Sequence, residues 1–531
     1  MAAMANEHSD VLILGGGLAG LCLAIQLRRE LPSLSVRVLE RRKHPVPHAA
    51  FKVGESTVEI GAHYFDTVLD LKSHLQRDQL RKFGFRFFFN QGKADIAATT
   101  ELGVSRVFPT PSYQIDRGIF ENYLAQHAAE LGAVFEDGAT VRTIDLDANG
   151  HHVRYTHDGT EHDITARWVI DASGRAGLLK RKLDLAQENP HDANAIWFRI
   201  GERIDIDQWS NDDAWTSRVD LRERWRSTNH LCGPGYWAWL IPLSSGSHSV
   251  GIVADAAMHP LESINSFDKA MDWFAVHQPQ LFRELDTRRD KLQDFAFFRH
   301  FSYGCKQVFS GERWALTGEA GLFLDPFYSP GSDFIAIGNT YIVDLIRRDF
   351  AGERFSREAR LYENLYFSFY RNTLALYQDM YPMFGHAELM PLKVMWDYAY
   401  YWGILCQFFF QNRLTDMSLF ARLAQPLERC ETLNRDVQRF LREAAGDGVG
   451  RGDAQWFDQQ RLPWFAEMNR GLRDVLSVEE LEQRIRANAA MLESLAAEIF
   501  RRAQALGYRG DSADPLAALE EPTTNLLREA A

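Results

Sequence analysis

The 531-residue chain has no Cys-x-x-Cys pair, no unbroken apolar run of bilayer length, no internal repeat and no excess of basic side chains. Each absence narrows the field. Five cysteines (Cys22, Cys232, Cys305, Cys406 and Cys430) without metal or redox spacing read as reduced core thiols of a cytoplasmic protein. The longest apolar stretch, Met395 to Phe410, is broken by Asp397 and Gln407 and is too short to span a bilayer, so a core or pocket helix is expected and no integral membrane association. The opening MAAMANEHSD lacks an apolar signal region, so no export is expected. With 59 Lys and Arg against 72 Asp and Glu, the net charge of -13 leaves no broad phosphate-tracking surface, and nucleic acid is not an expected partner. What remains is an ordinary globular balance, 46% hydrophobic and 25% charged, long enough for two cores.

The most informative feature is Asp10-Val-Leu-Ile-Leu-Gly-Gly-Gly-Leu-Ala-Gly20, an apolar strand running into Gly15-x-Gly17-x-x-Gly20. A second strand, Val36-Arg-Val-Leu-Glu40, puts an acid twenty residues after the last glycine. Gly15 lets the chain turn sharply, Gly17 leaves room for a pyrophosphate, and Gly20 lets the following helix pack on the sheet. That helix, opening at Leu18 and Ala19, faces the phosphates with free N–H groups. Glu40 is placed to accept from both ribose hydroxyls, with Arg41 beside it. Together these make a dinucleotide-binding βαβ unit, and taken alone they suit NAD as well as FAD.

Strand and helix patterns alternate from Asp10 to about Gly174. Arg117 to Leu131 reads as an amphipathic helix, Val141–Leu146 and His152–Tyr155 as a strand pair, and Thr165 to Gly174 as a buried strand ending in a small-residue turn. Residues 194–302 are richer in alternating strands, such as Gly235 to Val253, and suit a sheet over a substrate cavity. Trp314 to Gly321 is again a strand into a glycine turn, Ser332 to Arg348 a helix, and everything after Ser356 is helical and aromatic. Gly446 to Gly452 reads as a flexible connection and Leu519 to Ala531 as a frayed tail. The expected organisation is an α/β protein: a Rossmann-type dinucleotide domain over 1–190 with a substrate-side insertion at 80–115, an inserted β-rich part over 191–305, a return to the dinucleotide domain at 306–350, and a helical region over 351–531.

Three segments together resemble the FAD-dependent monooxygenase superfamily that includes p-hydroxybenzoate hydroxylase: the N-terminal fingerprint, Val169-Ile-Asp-Ala-Ser-Gly174, and Thr317-Gly-Glu-Ala-Gly321 followed by Asp325-Pro326. The resemblance implies FAD, with Asp171, Gly174 and Pro326 near it. Glu319 stands where the superfamily carries an aspartate on the flavin ribityl chain. Arg117 resembles the arginine opening the helix beside the flavin; its plainer reading is a surface helix arginine.

Within that superfamily the sequence resembles the flavin-dependent halogenases. Phe51-Lys-Val-Gly-Glu-Ser56 is similar to their Val-Gly-Glu-Ser/Ala element, which implies that Glu55 and Ser56 lie on the flavin side of the pocket. Trp237-Ala-Trp239-Leu-Ile241-Pro242 matches Trp-x-Trp-x-Ile-Pro, with Tyr236 in place of the usual preceding glycine. The family assigns those tryptophans to a gate between substrate and flavin. Phe323-Leu-Asp-Pro326-Phe-Tyr-Ser329-Pro-Gly331 resembles the stretch beside flavin and halide.

Leu80-Arg-Lys82-Phe-Gly84-Phe-Arg-Phe87 fits the Lys-x-Gly-x-x-Phe form around the active-site lysine of halogenases acting on phenols and pyrroles. In that family reduced FAD, oxygen and chloride or bromide give hypohalous acid. A buried lysine then fixes where the electrophile sits, as an ammonium hydrogen bond or as a haloamine. The resemblance therefore gives catalytic roles to Lys82, Glu55 and Ser329. Burial among Phe83, Phe85 and Phe87 would favour the neutral amine, and a nearby carboxylate would oppose it. Lys82 has a structural alternative, a strand-end lysine snorkelling over apolar neighbours, and Lys52 is a rival lysine.

One departure stands out: Pro330 follows the motif serine and carries no N–H. The amides of Gly331 and Ser332, the Ser329 hydroxyl and Thr57 are left to hold halide. Tyr328 occupies the place before the serine, which sets the chain apart from the free-tryptophan subgroup. The expected activity is halogenation of an electron-rich aromatic, free or carrier-bound, with a separate flavin reductase as partner. The alternatives are an FAD hydroxylase or a flavoprotein reductase of an aromatic or long apolar substrate.

Overall fold

The computed structural model describes residues 7–49, 51–89, 95–446, 455–508, 515–519 and 526–527. The connection expected after Gly446 and most of the expected tail lie outside them. The chain forms two compact units, one of residues 1–78, 115–190 and 302–370, the other of residues 79–114, 191–301 and 371–531.

The first unit is built on a seven-stranded sheet. Glu7–Leu14 lies between Val36–Glu40 and Thr160–Asp171, all parallel, with Val134–Asp137 beside the second strand and Trp314–Leu316 parallel to the last. Their registers bring Leu14 level with Leu39 and Asp171, and Asp171 level with Leu316. The turns at Gly15, Ser173–Gly174 and Gly318 therefore leave neighbouring strands at the same carboxyl edge, where open α/β sheets bind ligands. Val11 to Leu14 and the inward residues of helix Leu18–Glu30 are fully or almost fully buried, as parallel strands covered by helices require. The expected helix after Arg117 runs Arg117–Glu130, and the expected strand pair is the antiparallel Thr140–Asp145 and His151–His157.

The second unit holds an eight-stranded sheet in the spatial order Leu292–Phe298, Ala193–Ile200, His248–Asp255, Tyr236–Pro242, Thr228–Gly233, Phe85–Phe89, Thr100–Gly103, Trp456–Asp458. The residues at 79–114 thus join the β-rich middle of the chain. One face of this sheet, with Phe88, Leu231, Tyr236, Ala238 and Leu240, packs in a core with helices Phe267–His277 and Pro279–Asp286. Strand alternation sends Phe85, Phe87, His230, Trp237 and Trp239 to the opposite face.

The region after 351 is not a separate all-helical part. Helix Ser356–Leu374 begins in the first unit, the remainder belongs to the second, and Trp456–Asp458 adds an edge strand parallel to Thr100–Gly103. Three residues are too few for periodicity to betray a strand. The apolar stretch at 395–410 is a helix with one widened turn: Leu389–Tyr400, a π-turn Tyr401–Leu405, then Cys406–Phe410. Asp397 and Gln407, the residues that break its hydropathy, are both buried and hydrogen-bonded. Among the described residues no helix is long and apolar enough to cross a membrane. All five cysteines are buried, and none forms a disulfide.

Candidate active site

The glycine fingerprint shows a different constraint at each position. Gly15 has φ +118, and a Cβ there would sit 2.3 Å from the Ala172 carbonyl oxygen; at Gly20 it would sit 2.0 Å from the Gly15 oxygen. At Gly17 a Cβ would meet nothing within 4 Å. So the first and third glycines are demanded by the fold, and the space at the second is left open. Helix Leu18–Glu30 starts there with no side-chain cap and no acid in its first turn, so its first amides stay available to an anion. The cradle fits a diphosphate. Glu40 accepts from the Gly16 amide at 2.6 Å and the Arg42 amide at 2.7 Å, which fixes its carboxylate at the end of its strand. Arg41 is exposed beside it.

Asp171 is held inside its own turn. Its carboxylate is fully buried and accepts from the Ser173 amide at 3.0 Å, the Ser173 hydroxyl at 2.6 Å and the Leu179 amide at 2.7 Å. Burial pushes this carboxyl above its usual range, against the pull of those donors. It shapes the turn carrying Gly174, which has φ +62, and its oxygens are committed to that turn. Glu319 follows Gly318, which has φ +60 and where an added Cβ would sit 2.9 Å from the Ala19 side chain. Its carboxylate pairs with Arg175 at 3.1 Å, and both side chains stay partly open. Arg175, the residue after Gly174, is a functional candidate that motif reading passed over. Its guanidinium lies over Tyr303 and Phe323, at 5.2 and 5.0 Å from the ring centres.

Arg117 is more than a surface helix arginine. Its guanidinium donates to the Val53 carbonyl at 2.7 Å and to Glu121 at 3.1 Å, and Lys52 pairs with the same Glu121, whose carboxylate is wholly buried. Lys52 is thereby tied into a charged cluster that straps residues 52–54 to helix Arg117–Glu130. Glu55 and Ser56 follow, both buried, and the Glu55 carbonyl accepts from the Ile115 amide at 2.6 Å.

Ser329 has φ +53, an uncommon conformation for a serine, and donates its amide to the Pro326 carbonyl at 2.9 Å. Pro330 caps helix Gly331–Phe350 with no side-chain hydrogen bond. Asp333 is diverted to the Gly61 amide at 2.8 Å. A Cβ at Gly331 would meet nothing within 4 Å, and the Ser332 hydroxyl is buried without a hydrogen-bond partner. Open space, the start of a 20-residue helix and an orphaned hydroxyl fit a small anion despite the missing amide of Pro330.

Lys82, Trp237 and Trp239 lie in the second unit. Lys82 sits between strands Leu80–Arg81 and Phe85–Phe89, is 4% exposed, and holds its ammonium 3.3 Å from the centre of the Phe85 ring. Its backbone is clamped: the Lys82 amide donates to Ser112 at 2.9 Å, the Phe83 amide donates to Arg226 at 3.1 Å, and the Arg226 guanidinium reaches back to the Arg81 carbonyl at 3.0 Å. A lysine that snorkels would place its charge in water; this one faces a ring. From Phe85 the rings continue to His230 at 5.2 Å, on to Trp237 at 5.3 Å, and to Trp239 at 5.6 Å. Both indoles are fixed, Trp237 donating to the Tyr381 hydroxyl at 3.0 Å and Trp239 to the Ser249 hydroxyl at 3.1 Å. His230 was missed because no motif surrounds it; only strand register puts it opposite Phe87 and Trp239.

The chain is similar to several known proteins. Residues 8–245 match the FAD binding domain family. A flavin-dependent halogenase of Dictyostelium discoideum is 26% identical over 432 residues, covering 75% of this chain and 70% of its own. The 1H-pyrrole-2-carbonyl-[peptidyl-carrier protein] chlorinase of Pseudomonas fluorescens is 26% identical over 350 residues, 62% of this chain and 73% of its own. Among solved structures, halogenase PltM in complex with phloroglucinol and FAD superposes with a TM-score of 0.64 at 16% identity, over 96% of this chain and 98% of that one. The chain carries an FAD binding domain and is similar along most of its length to flavin-dependent halogenases, which makes it an FAD-dependent oxidoreductase.

Proposed function

We propose that the protein halogenates a free, electron-rich phenolic ring, with Lys82 holding the electrophile. Reduced FAD, delivered by a separate flavin reductase, supplies the electrons with which oxygen and chloride or bromide yield hypohalous acid. The observation that carries the proposal is the Lys82 ammonium, buried and 3.3 Å from the Phe85 ring centre on a clamped backbone. A donor N–H in that position binds the oxygen of hypohalous acid and leaves the halogen pointing outward. Desolvation strengthens that hydrogen bond and keeps the oxidant from being lost to water.

In this account the Gly15–Gly20 turn and Glu40 bind the nucleotide end of FAD, and Glu319, Arg175 and the strap around Arg117 lie along the flavin end. Gly331, Ser332, Ser329 and Thr57 hold the halide. Trp237 and Trp239, pinned by Tyr381 and Ser249, make a fixed wall rather than a swinging gate. A free substrate is favoured because the similarity to PltM, whose complex contains phloroglucinol, extends over the C-terminal helices. The match to the carrier-protein chlorinase takes in 62% of this chain.

A second reading, direct hydroxylation, is favoured by Pro330 alone. The test is turnover of a phenol by purified protein with a flavin reductase, oxygen and bromide. Lys82→Ala should abolish halogenation while FAD still binds; loss in Lys52→Ala with Lys82→Ala unaffected would assign the chemistry to the other lysine.

A further inference from the structure

The ring chain that starts at Lys82 also runs away from the tryptophans. Tyr398, on helix Leu389–Tyr400, lies 6.2 Å from Phe85 between ring centres, 4.8 Å from Trp402 and 5.6 Å from Phe465. Trp402 in turn packs on Phe465 at 4.5 Å and on Phe108 at 5.5 Å. Phe87 and His230, which also meet the Phe85 ring, are sealed in the sheet at 0% and 1% exposure, whereas Tyr398 is half-buried.

The turn of helix that carries Tyr398 is anchored by its neighbours. Its neighbours Trp396 and Asp397 point into helix Ala424–Gly446: the Trp396 indole donates to Asn434 at 2.8 Å, and Asp397 accepts from Gln438 at 2.7 Å and from Lys393 at 2.8 Å. Lys393 and Asp397 are both buried, with burial pulling the lysine below its ordinary value. Such a network contributes little net stability, but it fixes the rotation of the helix. Immediately after it, the π-turn Tyr401–Leu405 widens the helix by one residue and carries Trp402 against Tyr398. Single π-turns of this kind gather at functional sites.

From this arrangement we infer that Tyr398, backed by Trp402 and Phe465, is the wall on which the ring of the substrate stacks beside Lys82, making Tyr398 a specificity-determining residue for flat, electron-rich phenols. The inference rests on the halogenase reading and names the surface that selects its substrate. A rigid aromatic face binds a planar ring without first paying to order itself. Offset or edge contact with Tyr398 holds the ring while one carbon faces the lysine.

The test uses the FAD-loaded full-length protein and 4-fluorophenol, followed by ligand-observed fluorine NMR and by steady-state bromination. Tyr398→Ala should weaken binding and raise KM roughly three- to tenfold, with kcat much less affected, as loss of one aromatic contact implies. Tyr398→Phe should restore both to within about twofold, since the ring and not the hydroxyl makes the wall. Trp402→Leu should weaken binding in the same sense, and circular dichroism with melting temperature reports whether each variant is folded. Unchanged binding and KM in a folded Tyr398→Ala overturns the inference, as does a Tyr398→Phe protein as impaired as the alanine variant. If bromination fails in the wild type while fluorophenol still binds through Tyr398, the wall stands and the halogenase reading falls. If bromination proceeds with KM indifferent to Tyr398, the wall alone falls.

Discussion

Glu101→Gln tests how the second unit holds Lys82. The Glu101 carboxylate is wholly buried and meets Arg86, Arg224 at 2.9 Å and Arg218 at 3.2 Å; Arg224 also pairs with the buried Asp207 at 3.1 Å. Three guanidinium groups thus face two carboxylates, and the substitution leaves three facing one. Breaking a buried ion pair by removing one partner costs about 3–5 kcal/mol, because the remaining charges stay desolvated. That corresponds to a fall in melting temperature of about 6–20 °C, with the lower part expected for a unit of this size.

The loss reaches Lys82 by a short path. Arg218 and Arg224 anchor residues 218–226, where Leu221 and Arg222 have φ of 61 and 50, and Arg226 at the end of that segment clamps Arg81 and Phe83. Burial alone would raise the Glu101 carboxyl, but the attraction of Arg86, Arg224 and Arg218 outweighs it and holds the group below its ordinary value. Its contribution is therefore present above about pH 4.3 and lost as the pH falls through the lower native value. Melting curves of wild type and Glu101→Gln, recorded from neutral pH downward, should lie far apart at pH 7 and converge in acid. A gap below about 2 °C at pH 7, or one that widens in acid, refutes the reasoning.

Three further outcomes follow from the same geometry. Glu121→Ala strands Lys52 and Arg117 around a vacated buried site and should lower stability by about 3–5 kcal/mol and weaken FAD retention, read by denaturant unfolding and flavin absorbance; a stable, flavin-retaining variant contradicts the strap. Gly251→Ala puts a Cβ 2.2 Å from the Trp239 ring, so the indole must shift at a cost of about 1–3 kcal/mol; unaltered tryptophan fluorescence and melting temperature would show that the pinned wall has slack. Pro330→Ser restores an amide at the start of helix Gly331–Phe350 and should lower the halide concentration needed for half-maximal bromination; no change removes that helix start from the halide site.

Most of the first unit was legible because its constraints are local. Gly15, Gly20 and Gly318 are spaced by the turn each must make, and strand, helix and acid follow at fixed intervals. Asp171 shows the limit of that logic: the motif marked the residue, whereas the hydrogen bonds of its oxygens to Ser173 and Leu179 became visible only in the folded turn. The second unit was less readable because the surroundings of Lys82 are assembled from distant segments. Lys82 had a motif, but His230, Tyr398 and the clamp from Arg226 depend on strand register and helix rotation across more than 300 residues of sequence. Likewise the strand Trp456–Asp458 owes its existence to Thr100–Gly103 and not to its own pattern.

The central claim is that halogen reaches the substrate by way of Lys82. Its most direct test is the product mass from a phenol, oxygen and reductase-supplied FAD, with and without bromide, for wild type and Lys82→Ala. The account predicts a monobrominated phenol with bromine's isotope doublet, dependent on bromide and absent from a Lys82→Ala protein that still binds FAD. An oxygenated product formed without halide, or bromination undiminished in Lys82→Ala, would contradict it.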